Sequence, residues 1–446
     1  MHQKEALHSF HPQLPPNTIW GFDGILPGPT FHSKADEPIL VRIYNDLPLS
    51  RKGFGSPETI THLHNAHTAS ESDGYPGDFY PPGQYKDHHY ANFCAGNDDN
   101  ESLHTLWYHD HRMDFTSQNV YKGLAGFHLR YDELDSGNEE DPNPGALRMP
   151  SGEYDIPLMI ADKRFDSSGQ LFFDPFEFDG LLGDKYTVNG KIQPFFKVAR
   201  RKYRFRILNA SASRFYEFFL SSGAPFVLVA NDGNLLAAPY RTRSIRIAPA
   251  ERVDVIIDFK QYKRGEQVFL VNRLEQKDGR GPEEDLLDRG TEILRFDVDR
   301  VAPDPSQIPL LLRPQPEVDL TRVTKRRTWE FERTNGSWAI NDELFDVDEP
   351  RALVKQGATE IWTLRNNSGG WSHPIHIHLE EFQILTRNGR KPPVHERGRK
   401  DVVVVGPNEE VRVYLKFRDL LGRYVMHCHN TVHEDHAMML RWDVVP

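Results

Sequence analysis

The sequence predicts an all-β protein built as three tandem β-sandwich domains, and three observations carry that prediction. The first is an internal repeat of domain length. Asp23-Gly24-Ile25-Leu26-Pro27 leading to Ile39-Leu40-Val41-Arg42-Ile43-Tyr44-Asn45 recurs as Val188-Asn189-Gly190-Lys191 leading to Tyr203-Arg204-Phe205-Arg206-Ile207-Leu208-Asn209. It recurs again as Ile340-Asn341-Asp342-Glu343-Leu344 leading to Glu360-Ile361-Trp362-Thr363-Leu364-Arg365-Asn366. The closing asparagines stand 164 and 157 positions apart, a domain's length rather than a solenoid repeat's. The second is punctuation: 32 prolines and 32 glycines divide the 446 residues into short segments rich in Val, Ile, Phe and Tyr. The third is alternation. Pro249-Ala250-Glu251-Arg252-Val253-Asp254-Val255 matches Pro407-Asn408-Glu409-Glu410-Val411-Arg412-Val413, and both read as strands with one solvated face. Domains are expected at 1–147, 148–305 and 306–446. The acidic 132–152 segment is expected to be a solvated connection, and the proline-rich 300–316 segment an extended surface linker. The charge-dense 275–288 stretch reads as a surface loop.

The chemistry is concentrated near the C-terminus, in Tyr424-Val425-Met426-His427-Cys428-His429 and the residues after it. On a strand, alternate side chains face opposite ways, so Cys428 points away from His427 and His429. A soft thiolate, the imidazole of His433 and the thioether of Met438 are ligands that select copper for electron transfer. Met439 is the rival thioether. In His373-Pro374-Ile375-His376-Ile377-His378, His373 lies at an odd offset from the other two and falls on the opposite face. His62-Leu63-His64 and His109-Asp110-His111 each put two imidazoles on one face. Divided in this way, His373, Cys428, His433 and Met438 form a mononuclear copper site, and eight histidines remain for a second centre. Eight imidazoles without a carboxylate suit copper better than magnesium or calcium, and exceed what one zinc takes. A single His-x-His pair is commonly structural; four such segments in one chain carry the metal reading. His2, His8, His11, His32, His67, His88, His89, His104, His128, His395 and His436 read as surface or polar-network residues.

These four segments, with His433 five and Met438 ten residues after Cys428, resemble the signature of the multicopper oxidases, the family of laccases and bilirubin oxidases. The resemblance covers essentially the whole chain and implies cupredoxin-like Greek-key domains. It implies four copper ions: a type 1 ion at His373, Cys428, His433 and Met438, preferred over Met439 on family spacing; a type 2 ion at His62 and His376; and two type 3 ions at His64, His109, His111, His378, His427 and His429. The implied reaction is one-electron oxidation of a small aromatic reductant at the mononuclear site, coupled to four-electron reduction of dioxygen to water at a trinuclear cluster. Asp73 and Glu434 match carboxylates that help deliver protons in the spore-coat laccase branch; their plainer roles are a turn residue before Gly74 and an arginine partner. Trp371 resembles a tryptophan near the mononuclear site of bilirubin oxidases, against the plainer role of a core tryptophan. Phenols, aminophenols and bilirubin-type compounds all stand as substrates.

Where the third unit has its HxxHxH segment, the middle unit reads Arg214-Phe215-Tyr216-Glu217-Phe218-Phe219-Leu220. It is therefore expected to bind no copper and to act as a spacer, with the cluster between the outer domains. The alternatives are a non-catalytic copper-binding or structural cupredoxin protein and, within enzymes, a cuprous or manganese oxidase. Only seven methionines and no methionine-rich insert argue against the cuprous case. A copper nitrite reductase would not need four such segments.

A net charge of −11 makes nucleic acid an unfavourable partner. No apolar run approaches the roughly 20 residues that span a bilayer. The first twenty residues are polar and lack the apolar core of a secretory signal, which leaves the compartment open between a cytoplasmic or spore-associated protein and an exported one whose signal has been removed. With copper claiming Cys428, Cys94 is expected to be a free buried or loop thiol. A monomer is expected. A shortened first strand would leave a sheet edge open to self-association.

Overall fold

The computed structural model describes residues 1–50 and 53–446. Six sheets form three face-to-face pairs in chain order, drawn from residues 2–131, 155–300 and 323–445. Each pair encloses an apolar core, with Trp20, Leu106 and Tyr108 in the first, Phe205, Phe218 and Phe296 in the second and Trp362, Val413 and Trp442 in the third. This is the cupredoxin-like architecture in triplicate.

The repeated phrase is the organising turn and strand of each unit. Its turn residues adopt positive φ in pairs, at Asp23 and Gly24, Asn189 and Gly190, and Asn341 and Asp342. Such turns match the twist of the strands they join, which is why Asn, Asp and Gly stand there. The strand that follows, Ile39–Asn45, Lys202–Asn209 or Thr359–Asn366, pairs parallel with a preceding strand and antiparallel with a later one. In the first unit that later strand is Tyr85–Tyr90, entered through Pro82-Gly83-Gln84, a third copy of the Pro249 and Pro407 phrase too altered to read from sequence.

Each strand ends on a buried asparagine that does the same work. The side-chain amide of Asn45 donates to the carbonyls of Pro57 at 2.7 Å and Tyr80 at 3.1 Å, and its oxygen accepts from Leu47 N. Asn209 donates to Arg214 and Ile247, and Asn366 to Trp371 and Val405. Each therefore ties a strand end to the loop that follows. Asn45→Ala leaves these buried partners unpaired, and is expected to cost roughly 1–3 kcal/mol. A urea midpoint equal to wild type would show the tie to be dispensable.

Three expectations need correction. His2–His8 forms a strand between Asn17–Phe22 and Ile39–Asn45, so the first strand is present and lies inside its sheet. Its buried face is polar and carries no apolar strand signal: Gln3 donates to Thr61 Oγ1 and accepts from Thr59 Oγ1. The 132–152 connection is not simply solvated. Asp135 is buried against Arg204 at 2.7 Å, and Asp132 pairs with Arg313. The 300–316 linker does run extended, but Leu312 and Arg313 add backbone hydrogen bonds to Ala237 and Leu236 and are buried. Among the described residues no helix is long and apolar enough to cross a membrane.

Candidate metal centre

Strand register brings the histidines together. Thr61–His64 pairs with Thr105–Asp110 so that His62 lies opposite His109, and His373–Ile377 pairs with Gly422–Cys428 so that His376 lies opposite His427 and Ile375 opposite Cys428. The first pair belongs to the first unit and the second to the third. The eight imidazoles, all at most 2% exposed, form one cluster between the two units.

The rings are held from outside and open inward. His62 Nδ1 donates to the Asp73 carbonyl at 2.5 Å and His109 Nδ1 to the Asp110 carbonyl at 2.8 Å. His376 Nδ1 donates to the Asp401 carbonyl and His64 Nε2 to the Asp401 carboxylate, both at 2.9 Å. His378 Nδ1 donates to Asp73 Oδ2 at 2.8 Å. Glu434 lies 3.0 Å from His427 Nδ1 and 3.3 Å from His111 Nδ1. The opposite nitrogens of His62, His64, His109 and His376, and both of His429, have no partner among the described residues. Those of His111, His378 and His427 converge at 3.2–3.3 Å from one another. Buried inward nitrogens without partners, on rings that for His62, His64, His109 and His376 are fixed by an outer hydrogen bond, are what metal-ligating histidines need. The donor set is imidazole alone, which suits copper.

Across one residue, His373 Nδ1, His433 Nδ1 and Cys428 Sγ form a second group with separations of 3.2, 3.5 and 3.7 Å, all fully buried. His373 Nε2 bonds Ser368 Oγ at 2.8 Å, and His433 Nε2 donates to the Asp179 carbonyl at 3.1 Å. Met438 is buried in the same apolar cluster as Cys428, and its carbonyl accepts from Cys428 N. Met439 packs on the other side with Tyr75 and Val425.

Burial holds nine of these histidines neutral. The pKa values of His62, His64, His111, His376, His378, His429 and His433 lie well below the ordinary value, and those of His109 and His373 fall to about 3. The same burial pushes the Cys428 thiol and the Asp73 carboxyl well up. Neutral imidazole is the ligating form, and binding a cation would release the thiol proton. For metal-free protein the sign follows. The unfolded chain binds protons near pH 6.5 that these folded histidines refuse, so stability is complete above that pH. It falls toward pH 3 by about 1.4 kcal/mol per pH unit for each histidine. Buried carboxylates with raised pKa, Asp73 and Asp401 among them, oppose this but are outnumbered. Urea midpoints of the metal-free protein should therefore drop between pH 7 and pH 5; a flat profile would contradict the account.

Asp73 and Glu434 both touch the cluster's outer nitrogens. Asp73 is also the turn residue, ending helix Ser70–Asp73 before Gly74 at φ 88°. A side chain at Gly74 would lie 2.2 Å from the Thr61 carbonyl, so only glycine lets this helix approach the His62 strand. Trp371 is one layer further out. Its ring packs at 5.4 Å against Trp338, whose own ring lies 3.9 Å from that of His433.

Several residues at the site were not legible in sequence. Trp338 and Trp107 stack on His433 and His109, and Asp401 reaches His64 and His376. Ser368 had a signal, since it stands two residues after the repeated asparagine, as Ser211 does in the middle unit. The middle unit also proves more than a spacer. It supplies no cluster histidine, yet the Asp179 and Gly279 carbonyls accept from His433 and Asn430, and Ser213 donates to Asn430. The 275–288 loop supplies a part of this contact. The Arg280 carbonyl accepts from Ser372 N at 2.7 Å, and the Arg280 guanidinium lies over Trp371 at 4.8 Å.

Three cupredoxin-like units with thiolate and imidazole donors where the outer two meet define a class, the copper-dependent oxidoreductases. Three sequence profiles of the multicopper oxidases match residues 7–133, 166–287 and 313–446. A bilirubin oxidase of Albifimbria verrucaria is 36% identical over 98% of this chain and 74% of its own length. A laccase of Bacillus subtilis is 34% identical over 99% of this chain and 93% of its own. The crystal structure of a multicopper oxidase from the hyperthermophile Aquifex aeolicus superposes with a TM-score of 0.84 at 26% identity, covering 100% of this chain and 96% of that one. The chain belongs to the multicopper oxidase family and is laccase-like. It is a copper oxidoreductase that uses dioxygen and a reductant.

Proposed function

We propose that the chain is a laccase-type oxidase of small aromatic reductants holding four copper ions, with domains at 1–147, 148–305 and 306–446. Cys428, His373, His433 and axial Met438 would hold the type 1 ion, and the eight histidines the other three. Their spacing suggests a division. His111, His378 and His427 form one triad, while His64, His109 and His429, with ring centroids 5.2–5.8 Å apart, form another. His62 and His376 remain for the type 2 ion. Copper bound in this set supplies one-electron oxidation of the reductant and four-electron reduction of dioxygen to water.

The observation that carries this reading is the position of Cys428. It joins the mononuclear group and is flanked in the chain by His427 and His429 of the cluster, so the covalent path between the sites is on the order of 10 Å. Asp73 and Glu434 stand at the outer nitrogens of His378, His427 and His111, placed to relay protons toward the cluster interior, where dioxygen reduction would consume them. For the reductant, a cavity of about 490 Å³ opens beside Asp179, whose carbonyl accepts from His433. Phe176 and Phe178 line it together with Arg164, Arg333, Glu177 and Asp278, giving aromatic faces and polar groups of both signs for a ring with polar substituents. Trp371 lies next to it, with the Arg333 guanidinium 5.2 Å from its ring.

Metal analysis and dioxygen uptake test this. Loaded protein should carry four coppers per chain and consume one dioxygen for every four one-electron oxidations of a phenol, an aminophenol or bilirubin. Full copper occupancy without uptake on any of them would leave a binding protein.

A further inference from the structure

Arg252 opens strand Arg252–Asp258 of the middle unit, is fully buried and spends every donor it has. Nε donates to the Thr105 carbonyl at 3.2 Å. Nη1 donates to the Ala250 carbonyl at 3.0 Å and to Asp401 Oδ1 at 2.9 Å. Nη2 donates to the Asp232 carbonyl at 2.9 Å and to Asp401 Oδ2 at 2.5 Å. A guanidinium with all five N–H groups engaged has no freedom to rotate, and the carboxylate it grips in a two-pronged fork has little. Asp401 in turn holds two rings of the cluster, His64 through its carboxylate and His376 through its carbonyl. These rings come from the first and third units and stack at 3.7 Å with an interplanar angle of 13°. Their inward nitrogens, His64 Nδ1 and His376 Nε2, have no partner among the described residues.

We propose that Arg252 is a positioning residue for the histidine cluster: from the unit that supplies no cluster histidine, it locks Asp401 and thereby aims one ring of each outer unit. The inference rests on the reading that the cluster holds copper. Outer partners that orient ligating histidines govern metal affinity even though they never touch the metal. Lysine keeps the charge but not the fork, so it cannot substitute.

The test uses copper-loaded protein and reads the two sites separately, by the red band of the mononuclear site and by the type 2 EPR spectrum and copper affinity of the cluster. Arg252→Lys is expected to weaken cluster copper by about 10–100-fold and to alter the EPR spectrum, with the red band unchanged. Arg252→Met leaves a buried carboxylate unpaired and is prone to misfold. The double variant Arg252→Met/Asp401→Asn removes both charges and should reproduce the cluster defect in folded protein. Arg204→Met is the control for lost stability alone, since Arg204 is an equally buried arginine paired with Asp135 and Asp254. Cluster affinity and EPR spectrum unchanged in both Arg252→Lys and the double variant would overturn the proposal, as would the same defect in Arg204→Met. A wild type without copper at the cluster would overturn the underlying reading instead, and is seen before any variant is made.

Discussion

Cys428→Ser is expected to abolish the red absorption and dioxygen uptake together, while the chain loses no more than one copper. The thiol is fully buried between two imidazoles and packed against Ile375, Met426 and Met438. A hydroxyl is a hard, weakly acidic donor and does not take the thiolate's place as a copper ligand. The cluster keeps its eight imidazoles, because His427 and His429 face the other way on the same strand. Burying a hydroxyl without a partner costs about 1–3 kcal/mol, so the variant must be shown to be folded. Cys428→Ala, which buries no hydroxyl, should give the same spectrum. Uptake of dioxygen by either folded variant at wild-type rate would place electron entry elsewhere.

Glu434→Gln is expected to slow dioxygen uptake by roughly a hundredfold while leaving the red band and the copper content unchanged, the size of effect typical of a lost general acid. Both carboxylate oxygens of Glu434 are buried and face His427 and His111 with no other bond among the described residues. Glutamine keeps the shape and one acceptor but has no proton to give. Anaerobic reduction of the mononuclear site by a phenol should be as fast as in wild type, since that step consumes no proton at the cluster. The defect should appear only when dioxygen is admitted. Asp73→Asn is expected to act alike, with some loss of cluster copper as well, because Asp73 also orients His378 directly and His62 through its carbonyl. If Glu434→Gln lost cluster copper with no slowing per remaining cluster, Glu434 would be an orienting residue and not a proton carrier.

The histidine and cysteine donors that the fold gathers were legible because their spacing is local. His62 and His64, His109 and His111, and His427 with His429 are spaced by two, so strand geometry alone puts each pair on one face and Cys428 on the other. The repeat was legible for a similar reason: the positive-φ turns at Asn189 and Asn341 and the strand-ending Asn209 and Asn366 are positions where few residues serve. The first unit was harder to read. Its first strand buries Gln3 rather than an apolar residue, and its Pro82-Gly83-Gln84 copy keeps the turn but not the acidic residue found at Glu251 and Glu409.

What the sequence determined by itself was therefore the fold class, the repeat and the division of donors between two sites, since all three follow from side-chain alternation and turn chemistry within short stretches. Only the tertiary structure put Met438 in the apolar cluster of Cys428 and Met439 beside Tyr75 and Val425, brought Trp338 onto His433, laid the 275–288 loop over Trp371 and made Asp401 a neighbour of both His64 and Arg252. His64 and Asp401 are 337 residues apart and Arg252 and Asp401 are 149 apart, in three separate units. No periodicity spans such distances. Contacts of this kind exist only once the three sandwiches pack against one another, and the buried polar groups left there must find their partners across the seams.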